Sequence, residues 1–343
     1  MIIRSHACSK CSTSITSNKL VSDIKWKLIL AHSRSDSCIS VSQLNKKYGD
    51  KTALDGVSFE VNYGKVFGFL GPNGAGKSTT IKILTTLLLP SSGNVKIFGL
   101  DVNKSSSAIR KRIGVISQQP SSEANLTVER ALDLYGLMWG IERTKRKEKI
   151  TEIINSFDLE EIRNVKNDEL SIGQKRRVQV AREFIHEMDL LFLDEPTVGL
   201  DPTARRVLLD YIKNQVKSGL TVFFTTHIME EAEYLCDNIA IINRGKIIAF
   251  DTPLGLKKKY GKENIIQIHV KEKISELILK LASNASPNSQ IIKDGENGLK
   301  ITSIDPQNTL AKLIENFTIK GIKIINVSIS SPSLEDVFLT MVK

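Results

Sequence analysis

The chain has 343 residues, of which 41% are hydrophobic, enough apolar material for one large domain and one small one. Its longest apolar run, residues 134–141, is far shorter than the roughly 20 residues of a membrane-spanning helix, so we expect a soluble or peripheral protein facing the cytoplasm. A net charge of +10 would suit nucleic acid, anionic lipid or nucleotide phosphates, but the basic residues are scattered, which favours an ordinary solvated surface.

The first residues differ in composition from the rest. Residues 1–38 are rich in Ser, Thr and Lys, which predicts a disordered basic extension. Within it, Cys8 and Cys11 have the spacing of half a zinc site, but no second close pair of cysteines follows. A reduced pair without a metal is therefore the favoured interpretation, and disulfide bonds are not expected in a cytoplasmic chain.

From residue 39 onward, predicted strands alternate with predicted helices. Val57, Phe59 and Val61 alternate with polar residues, which predicts a half-buried strand. Buried strands are predicted at residues 66–70, 113–117, 190–194, 221–226 and 239–243, and helices over 77–88 and 127–157. This alternation predicts a parallel sheet with helices on both faces.

The pattern changes again near residue 262. Strands are predicted at 265–270, 290–293, 299–303 and 322–328, with helices near 272–283, 307–317 and 333–342. The predicted organisation is an extension over 1–38, an α/β domain over 39–261 with a helical lobe at about 119–175, and a small α+β domain over 262–343.

Residues 71–79, which we call the phosphate loop, read GPNGAGKST and match the pattern G-x-x-x-x-G-K-[ST] between a predicted strand and a predicted helix. The glycines let backbone N–H groups face phosphate oxygens, Lys77 offsets the charge of the β- and γ-phosphates, and the Ser78 hydroxyl reaches Mg²⁺. The predicted nucleotide-binding residues are Gly71, Pro72, Asn73, Gly74, Ala75, Gly76, Lys77, Ser78 and Thr79.

Acidic and imidazole side chains follow two other predicted strands. Asp194 and Glu195 end the apolar run LLFL, and His227 ends the strand at 221–226. Because ligands bind at the carboxyl ends of parallel strands, we expect these residues at one edge of the sheet. There Asp194 can hold Mg²⁺, Glu195 can orient or deprotonate the attacking water, and His227 can donate to the γ-phosphate.

A second candidate phosphate-binding element lies at residues 170–178, which read LSIGQKRRV. A serine and a glycine directly before a basic, helix-forming run are typical of a helix N-terminus that binds an anion. The chain therefore has one predicted nucleotide pocket but two predicted phosphate-binding elements.

Taken in order, GPNGAGKST, Gln118, LSIGQ, LLFLDEP, GLD and TTH resemble the motifs of the ATP-binding subunit of ABC transporters, over about residues 39–260. Residues 333–339, SLEDVFL, are similar to the tail of the daunorubicin-resistance type of exporter ATPase. The resemblance implies an α/β, P-loop NTPase fold of ABC type with an antiparallel β subdomain, a helical lobe and a small C-terminal α+β domain. It also implies ATP and Mg²⁺ as cofactors.

The resemblance assigns roles to residues that the motifs alone leave open. Tyr48 matches the aromatic residue that stacks on adenine. Gln118, or Gln119 if the match is displaced by one position, corresponds to the glutamine that touches Mg²⁺ and water and relays the nucleotide state to the membrane partner. Asp201 matches the carboxylate that crosses between two subunits.

The resemblance also explains the second phosphate-binding element. Residues 171–174, which we call the signature turn, would close over the γ-phosphate held by the Lys77 loop of a second subunit; its members are Ser171, Ile172, Gly173 and Gln174. The usual family pattern is LSGGQ, so Ile172 is a departure. Isoleucine would be strained if its position needs a positive φ, and tolerated in ordinary helical backbone.

The implied function is ATP hydrolysis that drives transport, with export favoured by the tail. The implied partners are an integral membrane permease and a second ATPase, either another copy or a homologue, at the cytoplasmic face of the membrane; no specific nucleic acid is expected. One alternative is a soluble ABC ATPase that acts on ribosomes or nucleic acid, and another is a regulator that binds nucleotide without hydrolysing it. The short gap between Gln118 and Ser171, the single phosphate loop, and the presence of Glu195 and His227 favour transport.

Overall fold

The computed structural model describes residues 37–117, 124–261, 264–287 and 289–342. Most of the predicted extension, with Cys8 and Cys11, lies outside these residues. The two last positions assigned to that extension, Ser37 and Cys38, instead open the first strand. Cys38 is fully buried there, and burial raises the pKa of its thiol to about 12, which makes it unreactive.

An antiparallel sheet of four strands packs against the central sheet of the α/β part. Its order is β2-β1-β4-β5, with β1 (Ser37–Tyr48), β2 (Lys51–Asn62), β4 (Ser92–Ile97) and β5 (Leu100–Asp101). The predicted alternation in β2 is confirmed, since Val57, Phe59 and Val61 are buried. The Phe59 ring stacks on Phe67 of the central sheet at 5.1 Å between centroids, which joins the two sheets through an aromatic core.

The central sheet carries the predicted buried strands. Its order is β10-β9-β3-β8-β7-β6, made of β3 (Val66–Leu70), β6 (Ile113–Ile116), β7 (Leu190–Asp194), β8 (Thr221–Thr225), β9 (Asn238–Asn243) and β10 (Lys246–Asp251). All neighbours are parallel except β9 and β10. The carboxyl ends of β3, β7 and β8 therefore meet at one edge, as predicted.

Helices cover this sheet and form the helical lobe. They are α1 (Lys77–Leu84), α2 (Ser106–Arg110), α3 (Val128–Met138), α4 (Arg143–Ser156), α5 (Ile172–Glu183), α6 (Pro202–Lys217), α7 (Met229–Leu235) and α8 (Pro253–Tyr260). Helix α1 stops four residues before the predicted end, where Thr86 adopts a φ of 62°. The continuous helix predicted over 127–157 is wrong, because Gly140 turns the chain with a φ of 70° between α3 and α4.

The C-terminal part is the predicted α+β unit. Its antiparallel sheet has the order β12-β13-β11-β14, with β11 (Asn264–Val270), β12 (Ile291–Asp294), β13 (Gly298–Ser303) and β14 (Ile324–Ser330). Two helices alternate with these strands along the chain, α9 (Glu276–Ala285) and α10 (Pro306–Ile319). This βαββαβ arrangement is the split βαβ topology, with its own core around Ile266, Leu299 and Phe317. The domain boundary at 261/262 stays a prediction.

The last helix, α11 (Leu334–Val342), does not join that core. It packs instead against α7 and α8 of the α/β part. Leu334 and Val337 are each only 1% exposed and belong to the same apolar cluster as β3 and β7. Within the described ranges, no helix combines the length and apolar character needed to cross a bilayer.

Candidate active site

The phosphate loop leads from β3 into α1 through glycines that no other residue can replace. Gly76 has a φ of 114°, and a Cβ on it would lie 2.9 Å from the carbonyl oxygen of Ala53. A Cβ on Gly71 would lie 2.3 Å from the carbonyl oxygen of Ile242. The loop is therefore wedged against neighbouring backbone, and its own N–H groups are left to face a ligand.

Lys77 is held inside this loop. Its side chain is buried, and Nζ donates to the carbonyl oxygens of Gly71 at 2.6 Å and Pro72 at 3.3 Å. Burial lowers the pKa of Lys77, while the nearby carboxylates of Asp194 and Glu195 act in the opposite direction. The ammonium group thus lies between the loop and the acidic strand end, where an anionic phosphate would relieve its desolvation.

A cavity of about 560 Å³, which we call the nucleotide cavity, opens beside the loop and is large enough for a cofactor-sized ligand. Half-exposed Tyr48, at the end of β1, lies on its wall with Glu195. Most of the predicted loop residues line it, namely Pro72, Asn73, Gly74, Gly76, Lys77, Ser78 and Thr79. The sequence reasoning did not single out Arg244, which also lines the cavity from the turn between β9 and β10.

Asp194 is positioned by two hydroxyl groups. Ser78 Oγ donates to Oδ2 at 3.3 Å, and Thr225 Oγ1 donates to Oδ1 at 2.7 Å. A serine hydroxyl beside a carboxylate offers the hard oxygen ligands that Mg²⁺ takes when phosphates and waters complete its shell. The residues present therefore fit the predicted metal. Gln118, predicted as a further ligand and as a catalytic residue, lies outside the described residues.

Glu195 adopts a backbone conformation that is rare for its residue type. Its φ is 49°, and its N–H donates to the carbonyl oxygen and to Oγ1 of Thr225, at 3.1 and 3.2 Å. His227 Nδ1 lies 3.4 Å from Glu195 Oε2. Left-handed backbone at a non-glycine residue is costly and persists where the surroundings impose it, which is common at functional sites. The structure thus brings Lys77, Ser78, Asp194, Glu195 and His227 together at one edge of the sheet.

Arg176 in α5 is a site residue that the sequence reasoning missed, because it stands in a basic run that looks solvated. It is 1% exposed, and burial lowers the pKa of its guanidinium to about 10. The guanidinium donates to the backbone carbonyl oxygens of Glu195 and Pro196, both at 2.7 Å, and of Ser117 at 2.5 Å. It therefore ties the helix of the signature turn to the acidic strand end.

The signature turn is the N-terminus of α5. Ser171 caps the helix, since its Oγ accepts from the Gln174 N–H at 3.2 Å and its own N–H donates to Gln174 Oε1 at 2.9 Å. Ile172 is the first helical residue and has ordinary helical backbone, so the strain considered for it does not arise. Its side chain is 71% exposed.

Asp201 lies at the start of the neighbouring helix α6. It caps α6 by accepting from the Ala204 N–H at 2.9 Å, and this bond lowers the pKa of its carboxyl group. The turn before it touches the signature turn, because a Cβ on Gly173 would lie 3.1 Å from the carbonyl oxygen of Gly199. In the described part of the chain, neither segment lines the cavities that the phosphate loop lines.

The comparisons with known proteins agree with this geometry. The chain matches the ABC transporter family over residues 54–198 and the C-terminal domain of ATP-binding proteins like DrrA1-3 over residues 252–342. It is 33% identical to a linearmycin resistance ATP-binding protein of Bacillus subtilis, over 88% of this chain and 97% of that protein. This chain belongs to the ATP-binding proteins of ABC transporters.

Two further matches refine the family assignment. A daunorubicin/doxorubicin resistance ATP-binding protein of Streptomyces peucetius is 34% identical over 88% of this chain and 92% of its own length. A dimeric ATP-binding cassette, solved in a post-hydrolysis state with ADP and phosphate, superposes with a TM-score of 0.58 at 25% identity, over 62% of this chain and 98% of that one.

These matches confirm three predictions for this ABC ATPase. They are the family with its daunorubicin-resistance-type C-terminal domain, the fold, and ATP hydrolysis that powers transport. They do not support the alternative role on ribosomes or nucleic acid.

Proposed function

We propose that this ABC ATPase powers an exporter by closing in pairs around ATP and opening again after hydrolysis. One observation carries the proposal: Lys77, Ser78, Asp194, Glu195 and His227 converge on one edge of the sheet beside the nucleotide cavity. Each side chain supplies a different function that phosphoryl transfer to water needs.

The roles follow from the chemistry of each group. Lys77 binds the β- and γ-phosphates, and Tyr48 packs against the adenine. Ser78, Asp194 and Gln118 would hold Mg²⁺, which would offset charge on the phosphates. Glu195 accepts the proton of the attacking water. His227 donates to the γ-phosphate and holds that phosphate in position relative to Glu195.

The second phosphate-binding element supports the pairing. In the described residues, the signature turn lies away from the chain's own nucleotide cavity, yet Ser171 keeps a hydroxyl hydrogen to donate, and the α5 N-terminus adds its positive dipole. A phosphate held by the Lys77 loop of a second ATPase, a copy or a homologue, completes this element. Asp201 follows Gly199, whose carbonyl oxygen contacts Gly173 of this turn, by two residues and would cross between the subunits.

The membrane partner is proposed to dock in a groove of about 670 Å³ between the helical lobe and the C-terminal half of α6. Trp139 stacks on His186 at 3.8 Å between ring centroids on the wall of the groove. Two basic residues and two acidic residues also line it, namely Lys145, Lys149, Glu187 and Asp189. The buried Tyr211 hydroxyl, also on the wall, has no hydrogen-bond partner among the described residues. An amphipathic cytoplasmic helix of a permease, with an acidic side chain, fits this chemistry.

Docking in this groove would hold the ATPase at the cytoplasmic face of the membrane. Trp139→Ala should weaken co-purification with the permease and leave basal ATP hydrolysis by the isolated protein intact. Leu137→Ala is the matched control, since this exposed residue lies two positions before Trp139, in the last turn of α3, and does not line the groove. Equal co-purification of both variants would remove the groove from the proposal.

The central test is Glu195→Gln, which keeps the size of the side chain and removes the base. Because loss of a general base costs about 10²–10⁴ in rate, we expect slow hydrolysis, unchanged ATP binding and an accumulated ATP-bound dimer. Glu230→Gln, at an exposed position of α7, is the control. Wild-type turnover by the Glu195 variant, measured as phosphate release, would contradict the assigned mechanism.

A further inference from the structure

A second cavity, of about 280 Å³, lies beside the nucleotide cavity, and the last helix of the chain forms one of its walls. We call it the histidine cavity. Gly71, Pro72 and Asn73 of the phosphate loop bound one side, and the catalytic pair Glu195 and His227 lies with Met229 on another. Phe338 of α11 is the remaining wall residue.

The position of Phe338 is fixed by its neighbours on α11. Leu334 and Val337 are buried in the main apolar cluster, and Phe338 packs partly against the same cluster. The helix start is capped, since the Asp336 N–H donates to Ser333 Oγ at 3.1 Å and the Ser333 N–H donates to Asp336 Oδ2 at 2.9 Å. An anchored helix therefore holds an aromatic ring at the histidine cavity.

His227, in contrast, is held weakly by polar contacts. Its side chain is 57% exposed, and the 3.4 Å separation from Glu195 is longer than an ordinary hydrogen bond. Within the described ranges, no shorter polar contact to this imidazole is present. The segment that carries His227 runs into α7 at Met229, and α7 is the helix on which α11 packs. The apolar side chains of Phe338 and Met229, which line the same cavity, can therefore limit the positions that the His227 imidazole adopts.

We propose that Phe338 is a positioning residue for ATP hydrolysis: its ring closes the histidine cavity and keeps the His227 imidazole against Glu195. Phe338 lines the histidine cavity and not the nucleotide cavity, so we expect it to act on turnover and not on ATP binding. The C-terminal part of the chain thereby contributes to the catalytic edge of the sheet. The inference rests on the roles proposed above for Glu195 and His227.

The test is a double-mutant cycle of Phe338→Ala and His227→Ala, read as kcat and KM for ATP. A misplaced catalytic group costs up to about 10²-fold in rate, so we expect Phe338→Ala to lower kcat by about tenfold with KM unchanged. His227→Ala should lower kcat further, and the double variant should match His227→Ala alone, because Phe338 acts through the imidazole. A merely structural role would not produce this loss of additivity.

Two further variants separate positioning from folding. Phe338→Tyr keeps the ring and should keep most of the activity even if Phe338→Ala folds poorly. Leu339→Ala, at a 52% exposed position of the same helix, should behave as wild type. A normal kcat in Phe338→Ala, or additive losses in the double variant, would overturn the role of Phe338 and leave that of His227 standing. A normal kcat in His227→Ala would overturn both.

Discussion

The phosphate loop and the signature turn are both helix N-termini suited to an anion, yet they are built differently. The phosphate loop is wedged against backbone at Gly71 and Gly76, and its lysine lies buried next to the strand-end carboxylates. The signature turn is capped by its own serine and glutamine and presents the exposed Ile172.

The difference shows which element is complete within one chain. The phosphate loop has its counter-charges, its hydroxyl ligand and its cavity in place. The signature turn has donors and a helix dipole. In the described part of the chain, however, it lines neither the nucleotide cavity nor the histidine cavity. A self-capped helix start that needs no ligand for its own stability is suited to intermittent use, as the opening and closing of a pair requires.

Mixing two inactive variants tests whether the phosphate loop of one chain works with the signature turn of another. Lys77→Ala disables the loop, and Ser171→Ala disables the turn, so each variant alone should lose at least about 10²-fold in hydrolysis. In a mixed pair, the intact Lys77 of one chain meets the intact Ser171 of the other. Phosphate release should therefore recover when the two proteins are combined.

The control for this mixing experiment is Thr252→Ala, which removes a comparable helix cap at α8, where Thr252 Oγ1 accepts from the Gly255 N–H at 3.0 Å. Each cap contributes about 1 kcal/mol, so Thr252→Ala should lower stability as Ser171→Ala does but keep hydrolysis. If the combined variants stay inactive while each still binds or dimerises normally, the two elements do not share a phosphate.

Arg176 joins the helix of the signature turn to the strand end next to the phosphate loop. Its removal should therefore destabilise both regions. Arg176→Met leaves buried carbonyl oxygens at the ends of β6 and β7 without their donor, and we expect the free energy of unfolding to fall by about 2–4 kcal/mol. Arg177→Met loses an exposed ion pair with Asp158 and a hydrogen bond to its carbonyl oxygen, and should cost less than about 1 kcal/mol. Equal denaturation midpoints for the two variants would contradict this link.

The smallest effect is expected for Ile172→Gly, which restores the usual family residue. Because Ile172 is exposed and has helical backbone, the exchange should cost at most about 0.5–1 kcal/mol of stability through chain entropy. Hydrolysis should change only slightly. A rise in kcat of about tenfold, equivalent to about 1.4 kcal/mol, would mean that the isoleucine obstructs closure.

The parts of the site that the sequence predicted are those encoded in short contiguous segments. The phosphate loop, the apolar run ending in Asp194 and Glu195, and the strand ending before His227 each contain their own signal. Parallel pairing then placed their ends together, as expected. The exact ends of helices were less predictable, because single residues such as Thr86 and Gly140 decided them.

The parts that the sequence did not predict depend on contacts between distant segments. Arg176 looked like one of several solvated basic residues, because nothing local indicates that its acceptors lie near positions 117, 195 and 196. A helix near 333–342 was predicted as part of the small α+β domain, whereas it packs on helices of the α/β part. Its apolar side is as compatible with the C-terminal sheet as with the α/β core that it joins.

The return of α11 to the α/β core also bears on how the chain is made. Leu334 and Val337 complete an apolar cluster whose other members are synthesised much earlier, including strands β3 and β7. During translation, that cluster stays incomplete until α11 has been synthesised. A chain terminated before α11 would therefore leave part of this apolar cluster exposed for chaperones to bind.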